Sequence, residues 1–158
     1  MQSESIDKLL ELPQVDWVDA AHAREHSLEV HLPFLQVTLD DFKLIPLTVG
    51  DATPDEAAEA IELLWGGDET IFVISSDLSH FHDYDTAKQL DRETSTVIES
   101  LEFERLRGDR ACGFKPICGL LEAVRKRGLH VQLLDLRNSG DTGGGKDRVV
   151  GYGAYVIQ

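Results

Sequence analysis

TIFVISSDLSHFHD, residues 70–83, is the stretch on which the fold turns. Ile71, Phe72, Val73 and Ile74 form an apolar, largely β-branched run that fits a strand buried on both faces. The run breaks at Ser75-Ser76 into Asp77, His80, His82 and Asp83. Ionisable side chains at the end of a buried strand, ahead of a helix, stand where open α/β sheets place their ligand sites. Chemistry is therefore expected here. The plainer alternative is a loop with ordinary capping residues.

Working outward, residues 42–49 (FKLIPLTV) read as a second strand, with Pro46 arguing for an edge, a bulge or a bent end. Between the two strands, Thr53, Pro54 and Glu56 spell a capping box around a favoured first helical residue. Ala57, Ala58, Ile61, Leu64 and Trp65 carry that helix to a Gly66-Gly67 stop. After the central stretch, Asp83 or Asp85 caps a long helix whose inner stripe is Ala87, Leu90, Thr94, Val97, Ile98 and Leu101. A shorter helical piece holds Phe103 and Leu106. Pro116 opens a helix that stops at Gly128. Residues 129–136 and 149–157 read as strands joined by a glycine-rich loop, which suits an antiparallel pair.

Toward the beginning, Ile6, Leu9, Leu10 and Leu12 indicate a short amphipathic helix ending at Pro13. Leu28, Leu32 and Leu35 predict a helix through residues 20–36, kinked or bent by Pro33. Helices alternating with strands imply an α/β fold. The expected sheet is mainly parallel, flanked by helices on both faces, with a C-terminal strand pair. No repeat or linker divides the chain, so residues 1–158 are read as one domain.

The chain has 158 residues, enough for a sizeable core, and is 42% hydrophobic and 28% charged. Its net charge of −14 repels phosphate backbones, and no basic, aromatic-interleaved patch is visible. Nucleic-acid binding is disfavoured. No apolar run approaches the roughly 20 residues of a membrane span. No basic region followed by an apolar one marks a signal peptide, so a cytoplasmic location is expected. Cys112 and Cys118 do not form a C-x-x-C pair and are expected to be reduced.

Several side-chain sets compete as sites. His22 and His26 would share a helix face, but the H-E-x-x-H pattern of zinc proteases is not met, and a solvated pair is favoured. Gly140 to Lys146 satisfies G-x-x-x-x-G-K. Asp147 stands where a P-loop needs Ser or Thr, and a strand follows where it needs a helix. A surface connection is the better reading. Cys112 lies at a loop-to-helix junction near Arg110 and Lys115, the setting that makes thiols reactive or metal-binding. Cys118, inside the apolar helix, reads as a small buried residue. Asp77, His80, His82 and His26, joined with Cys112, make a mixed set that suits zinc, copper or iron.

Four ordered motifs resemble one family. They are Glu25-His26-Ser27-Leu28-Glu29-Val30-His31-Leu32-Pro33-Phe34, then Ser75-Ser76-Asp77-Leu78-Ser79-His80, then Ala111-Cys112-Gly113 with Pro116. The last is Gly140-Asp141-Thr142 with residues 147–152, DRVVGY. Together they resemble the Memo family, the AmmeMemoRadiSam system protein B group. The resemblance implies an α/β fold like that of class III extradiol dioxygenases, which are non-haem iron enzymes. It implies a metal-binding redox protein, and some family members bind phosphotyrosine peptides. By motif, Cys112 would be a metal ligand with His80, and Asp77, His80 and His26 would act in proton transfer or substrate positioning. The metal would be iron or copper, with zinc as a further option.

The family's N-terminal half carries P-H-A-G-Y and P-S-H-H motifs that supply two histidine ligands, and neither occurs here. The chain therefore resembles the C-terminal half of a Memo protein. Half a sheet would expose an apolar strand edge, so self-association into a homo-oligomer is expected. The rival reading is a non-catalytic module for a small molecule or a (phospho)peptide, with Arg125, Lys126 and Arg127 as the local basic patch, or the incomplete half of a larger enzyme.

Overall fold

A computed structural model describes residues 2–158. The helices are α1 (Gln2–Leu9), α2 (Asp19–His22), α3 (Leu32–Thr38), α4 (Pro54–Leu64), α5 (Tyr84–Glu99) and α6 (Phe114–Arg127). The strands are β1 (His80–His82), β2 (Val131–Asn138) and β3 (Val149–Ile157). Short 3-10 turns cover Phe103–Arg105 and Ser139–Asp141. Among the described residues, no helix is long and apolar enough to cross a membrane.

The helix starts follow their local chemistry. Thr53 Oγ1 accepts from the Glu56 amide at 3.2 Å, and Glu56 Oε2 accepts from the Thr53 amide at 2.8 Å. That is the reciprocal capping box, with Pro54 opening α4. Asp83, rather than Asp85, caps α5 by accepting from the Thr86 amide at 3.1 Å. Helix α6 begins at Phe114, so Pro116 falls in its first turn, where a missing N–H leaves no bond unmade. It ends at Gly128 in the left-handed conformation, φ 66°.

The fold mixes helix and strand, as expected, but the mainly parallel sheet is not formed. The described residues hold a three-stranded antiparallel sheet in the order β1-β3-β2. The C-terminal strand pair is the expected β2–β3 ladder, running from Val131 opposite Ile157 to Asn138 opposite Gly151. Residues 42–49 and 71–76, both read as strands, are neither helix nor strand and enter no described sheet. A strand exists only through a neighbour that accepts its amides, and these two runs do not serve one another.

The helix expected over residues 20–36 is broken into α2 and α3. Glu25 Oε1 accepts from the amides of His26 and Ser27 at 2.8 and 2.9 Å, a local turn that competes with helix. Pro33 lies in the first turn of α3 instead of kinking a longer helix. His22 and His26 therefore do not share a helix face.

The core lies between α5, α6 and the β2–β3 ladder. Leu78, Val97, Ile98, Phe103, Leu106, Ala111, Cys118, Leu121, Val124 and Val131 pack in it. A second cluster, Ala58, Ile61 and Ala123, joins α4 to α6, with Trp65 and Phe72 against it.

Candidate metal centre

The loop of residues 75–79 is fixed from two sides. The Leu78 amide donates to the Gly151 carbonyl at 2.8 Å, and the Gly151 amide donates to the Ser79 carbonyl at 2.9 Å. The Ser79 amide donates to Asp91 Oδ1 on α5 at 2.9 Å. Asp91 is 2% exposed, and burial pushes its carboxyl above the ordinary range. Position 151 must be glycine for this clamp, because a Cβ there would stand 2.0 Å from Asp91 Oδ2.

The turn before α6 closes on the same loop. Ser76 Oγ donates to the Asp77 carbonyl at 2.7 Å and accepts from the Gly113 amide at 2.9 Å. The Cys112 amide donates to the Asp77 carbonyl at 3.2 Å, and the Asp77 amide donates to Cys112 Sγ at 3.1 Å. Gly113 permits this approach, since a Cβ there would lie 2.5 Å from the Ser75 carbonyl oxygen.

His80 begins β1 and sets Nε2 3.3 Å from Asp77 Oδ2. The next residue, Phe81, has φ 63°, a left-handed backbone that is costly for an aromatic residue. It forms an irregularity in the pairing, with His80 opposite Val150 and His82 opposite Val149. One donor atom from each of Asp77, His80 and Cys112 lies within 4.8 Å of the others. Cys112 is exposed, and the other two are partly buried. Among the described residues, this is the one such group. A tetrahedral ion about 2.0–2.3 Å from each donor wants its donors about 3.3–3.8 Å apart, so modest closure would seat it. Thiolate, imidazole and carboxylate together suit zinc, copper or iron.

Of the residues singled out in the sequence, Asp77, His80 and Cys112 are brought together. His26 is exposed in the turn between α2 and α3 and is not part of the group. His82 is exposed and also lies outside it. Cys118 is buried and its thiol is pushed up by burial. Lys115 and Arg110 are held by carboxylates, Lys115 by Asp51 and Arg110 by Glu93 at 3.2 Å. The basic patch is also engaged. Arg125 pairs with Glu104 and Glu122, Lys126 with Asp55 and Glu122, and Arg127 with Glu62. The glycine-rich loop leads into β3 and not into a helix, as its sequence implies.

Sequence reasoning quoted Ser76 and Gly151 within motifs but gave them no role, and it passed over Asp91. Asp91 carried a signal. It follows Ala87 by one helical turn, a carboxylate on the face that faces the core.

The fold and site define an α/β-class protein with a mixed thiol, imidazole and carboxylate cluster at a loop-to-helix junction. The family model described as Memo-like protein matches residues 2–156, and the chain belongs to the Memo family. It is 36% identical to a "MEMO1 family protein" of Methanosarcina mazei, over 91% of this chain and 59% of that relative. It is 37% identical to one of Sulfolobus acidocaldarius, over 92% of this chain and 55% of the relative. For one of Thermoplasma acidophilum the identity is 33%, over 87% and 54%. The chain thus spans just over half the length of these curated relatives.

Proposed function

We propose that this chain is a metal-binding redox protein whose centre is Asp77, His80 and Cys112. One observation carries the reading: the three donor atoms converge within 4.8 Å on a loop and helix start that hold each other in place. A bound iron or copper ion would supply one-electron chemistry there. The protein's own part is narrower. Cys112 would hold the metal through Sγ, the atom that accepts from the Asp77 amide. His80 would serve as the second ligand. Asp77 faces His80 Nε2, so it orients the ring and can take or return a proton at that nitrogen when the ring is not bound to metal. The ends of the site toward Asp77 and Cys112 are open to solvent, which leaves room for further ligands or a small substrate.

A phosphopeptide-binding role is less well supported, because each cation of the Arg125, Lys126 and Arg127 patch already faces a carboxylate.

The test is metal content by plasma mass spectrometry after anaerobic purification, beside Cys112→Ala, His80→Ala and Asp77→Asn. Near-stoichiometric iron or copper in the parent chain is expected. It should fall at least about tenfold in the Cys112 and His80 variants, as loss of one ligand bond demands. Equal metal in parent and both variants would sink the reading.

A further inference from the structure

A cleft of about 720 Å³ lies between α5 and the end of β2. Tyr84, Lys88 and Arg92 wall it from α5, and Asp135, Asn138 and Asp141 from β2 and the turn that follows. None of Asp77, His80 and Cys112 lines it. A cleft of this size suits a small organic molecule rather than a lone ion. Leu136 is the one aliphatic side chain in its lining, so polar pairing decides what it takes. The acceptors there are mostly spent. Asp141 accepts from the Tyr84 hydroxyl at 2.6 Å and from the Asn138 amide at 2.9 Å. Asp135 holds Arg137 Nε at 2.7 Å, and Asp91 accepts the Ser79 amide. Asp85, the fourth carboxylate, is exposed at the start of α5. The donors are not spent. Lys88 and Arg92 stand one helical turn apart, and neither forms an ion pair among the described residues. Lys146 has no ion pair either, and its Nζ stands beside the cleft, 4.3 Å from the centre of the Tyr84 ring. Asn138 is 2% exposed, with Oδ1 taken by the Gly140 amide at 2.9 Å. Its side-chain NH2 donates to no group among the described residues, although a buried amide normally finds a partner.

We infer that this cleft binds a small organic oxyanion, a phosphate ester or a dicarboxylate. A ligand rich in acceptors answers a lining whose unspent groups are donors. Lys88 and Arg92 supply charge-assisted bonds to its acid group, and Asn138 supplies a neutral donor from the buried wall. The chain's charge makes the assignment local. With 29 Asp and Glu against 15 Lys and Arg, the surface as a whole repels anions. Three cations without ion pairs, gathered at one cleft, run against that balance. The Arg125, Lys126 and Arg127 patch differs, because each of its cations faces a carboxylate. The walls are also held in place before a ligand arrives. The Tyr84 amide donates to the Lys146 carbonyl at 3.0 Å while its hydroxyl holds Asp141, so the start of α5 is tied to both ends of the glycine-rich loop. Little ordering is then left for the ligand to impose. The inference does not rest on the metal reading.

The experiment titrates the full chain with glucose 6-phosphate, succinate and uncharged glucose, in a low-salt buffer free of phosphate. Chelator is present throughout, so metal plays no part. Backbone amide shifts locate the binding and calorimetry measures it. Saturable binding of at least one of the two anions is expected, with shifts centred on residues 84–92 and 135–142. Which anion binds tells phosphate from carboxylate recognition. Glucose should bind at least about tenfold more weakly than the anion. Lys88→Gln and Arg92→Gln, both exposed positions, should each weaken the anion at least about tenfold without disturbing the β2–β3 amides. Asn138→Asp keeps the acceptor for the Gly140 amide and replaces the donor with a carboxylate, so it should weaken binding as well. Lys43→Gln removes an equal charge from an exposed position outside the cleft, and should change the affinity by less than about twofold. No saturable binding of either anion up to about 20 mM overturns the proposal. So do shifts centred on residues 76–80 and 112–113, which would place the anion at the candidate metal centre. Equal losses in Lys43→Gln and the two α5 variants would reduce the effect to overall charge and overturn it too, as would unchanged affinity in both α5 variants.

Discussion

Asp91 shows how one side chain far from the donor atoms can set their geometry. Its carboxylate accepts the Ser79 amide inside the core, midway between Asp77 and the start of β1. Asp91→Ala leaves that amide buried and unpaired, at a cost of about 1–3 kcal/mol in denaturant unfolding. Asp91→Asn keeps an oxygen acceptor and should lose less. The two also differ in their dependence on pH. Burial raises the Asp91 carboxyl in the folded state, so its favourable contribution is complete below the unfolded value of about 3.9 and is lost as pH rises through the higher folded value. Melting temperatures of parent and Asp91→Asn, compared from acid to neutral pH, should shift in favour of the variant as pH rises. A pH-independent difference would contradict this account. The sequence held the clue, because Asp91 shares a face with Ala87 and Ser95. Helical periodicity alone did not show which backbone amide the carboxylate would meet. Asp77, His80 and Cys112 were grouped from residue type together with His26 and His82, but which of them meet was not legible, since residues 77 and 112 come together through loop–loop hydrogen bonds that no spacing rule encodes.

At the scale of elements, legibility followed the range of the forces involved. The start of α4 was readable to the residue because a capping box is closed by groups three positions apart. Thr53→Ala should therefore cost about 1 kcal/mol of stability by denaturant titration. Thr53→Ser, which keeps the acceptor, should restore most of it. No loss in the alanine variant would mean that packing of Ala58 and Ile61 alone holds the helix end. The β2–β3 pair was readable for a similar reason, being a hairpin of neighbours in sequence. The stretch of residues 20–36 misled because its leucine spacing was helical while Glu25 turns back on the amides just after it. Residues 42–49 and 71–76 have the composition of strands but enter none of the described ladders. Ladder pairing is not a property of the segment itself.

The whole molecule is strongly acidic, at −14, and about half of its Lys and Arg side chains sit in local pairs such as Arg127 with Glu62 at 2.6 Å. Most of these pairs are solvated and contribute little each. The remaining acidic surface repels itself, and salt relieves that repulsion over distances beyond about 10 Å at 0.1 M. The melting temperature should therefore rise by a few degrees between low salt and about 0.5 M sodium chloride. A fall would mean that the local pairs outweigh the global repulsion. Fold class was legible at this scale from alternating helices and strands. Sheet topology was not, because it depends on which strands the polypeptide has available to pair.

The two thiols differ in reach. Cys112 is open at the candidate centre, whereas Cys118 is sealed against the Phe103 carbonyl at 3.5 Å. The molecule thus carries one chemical handle, and it sits where a ligand would bind. A thiol-selective dye attached under native conditions would report on that site alone. Whatever binds there, whether ion or small molecule, could be followed by how far it shields a single sulfur atom from alkylation.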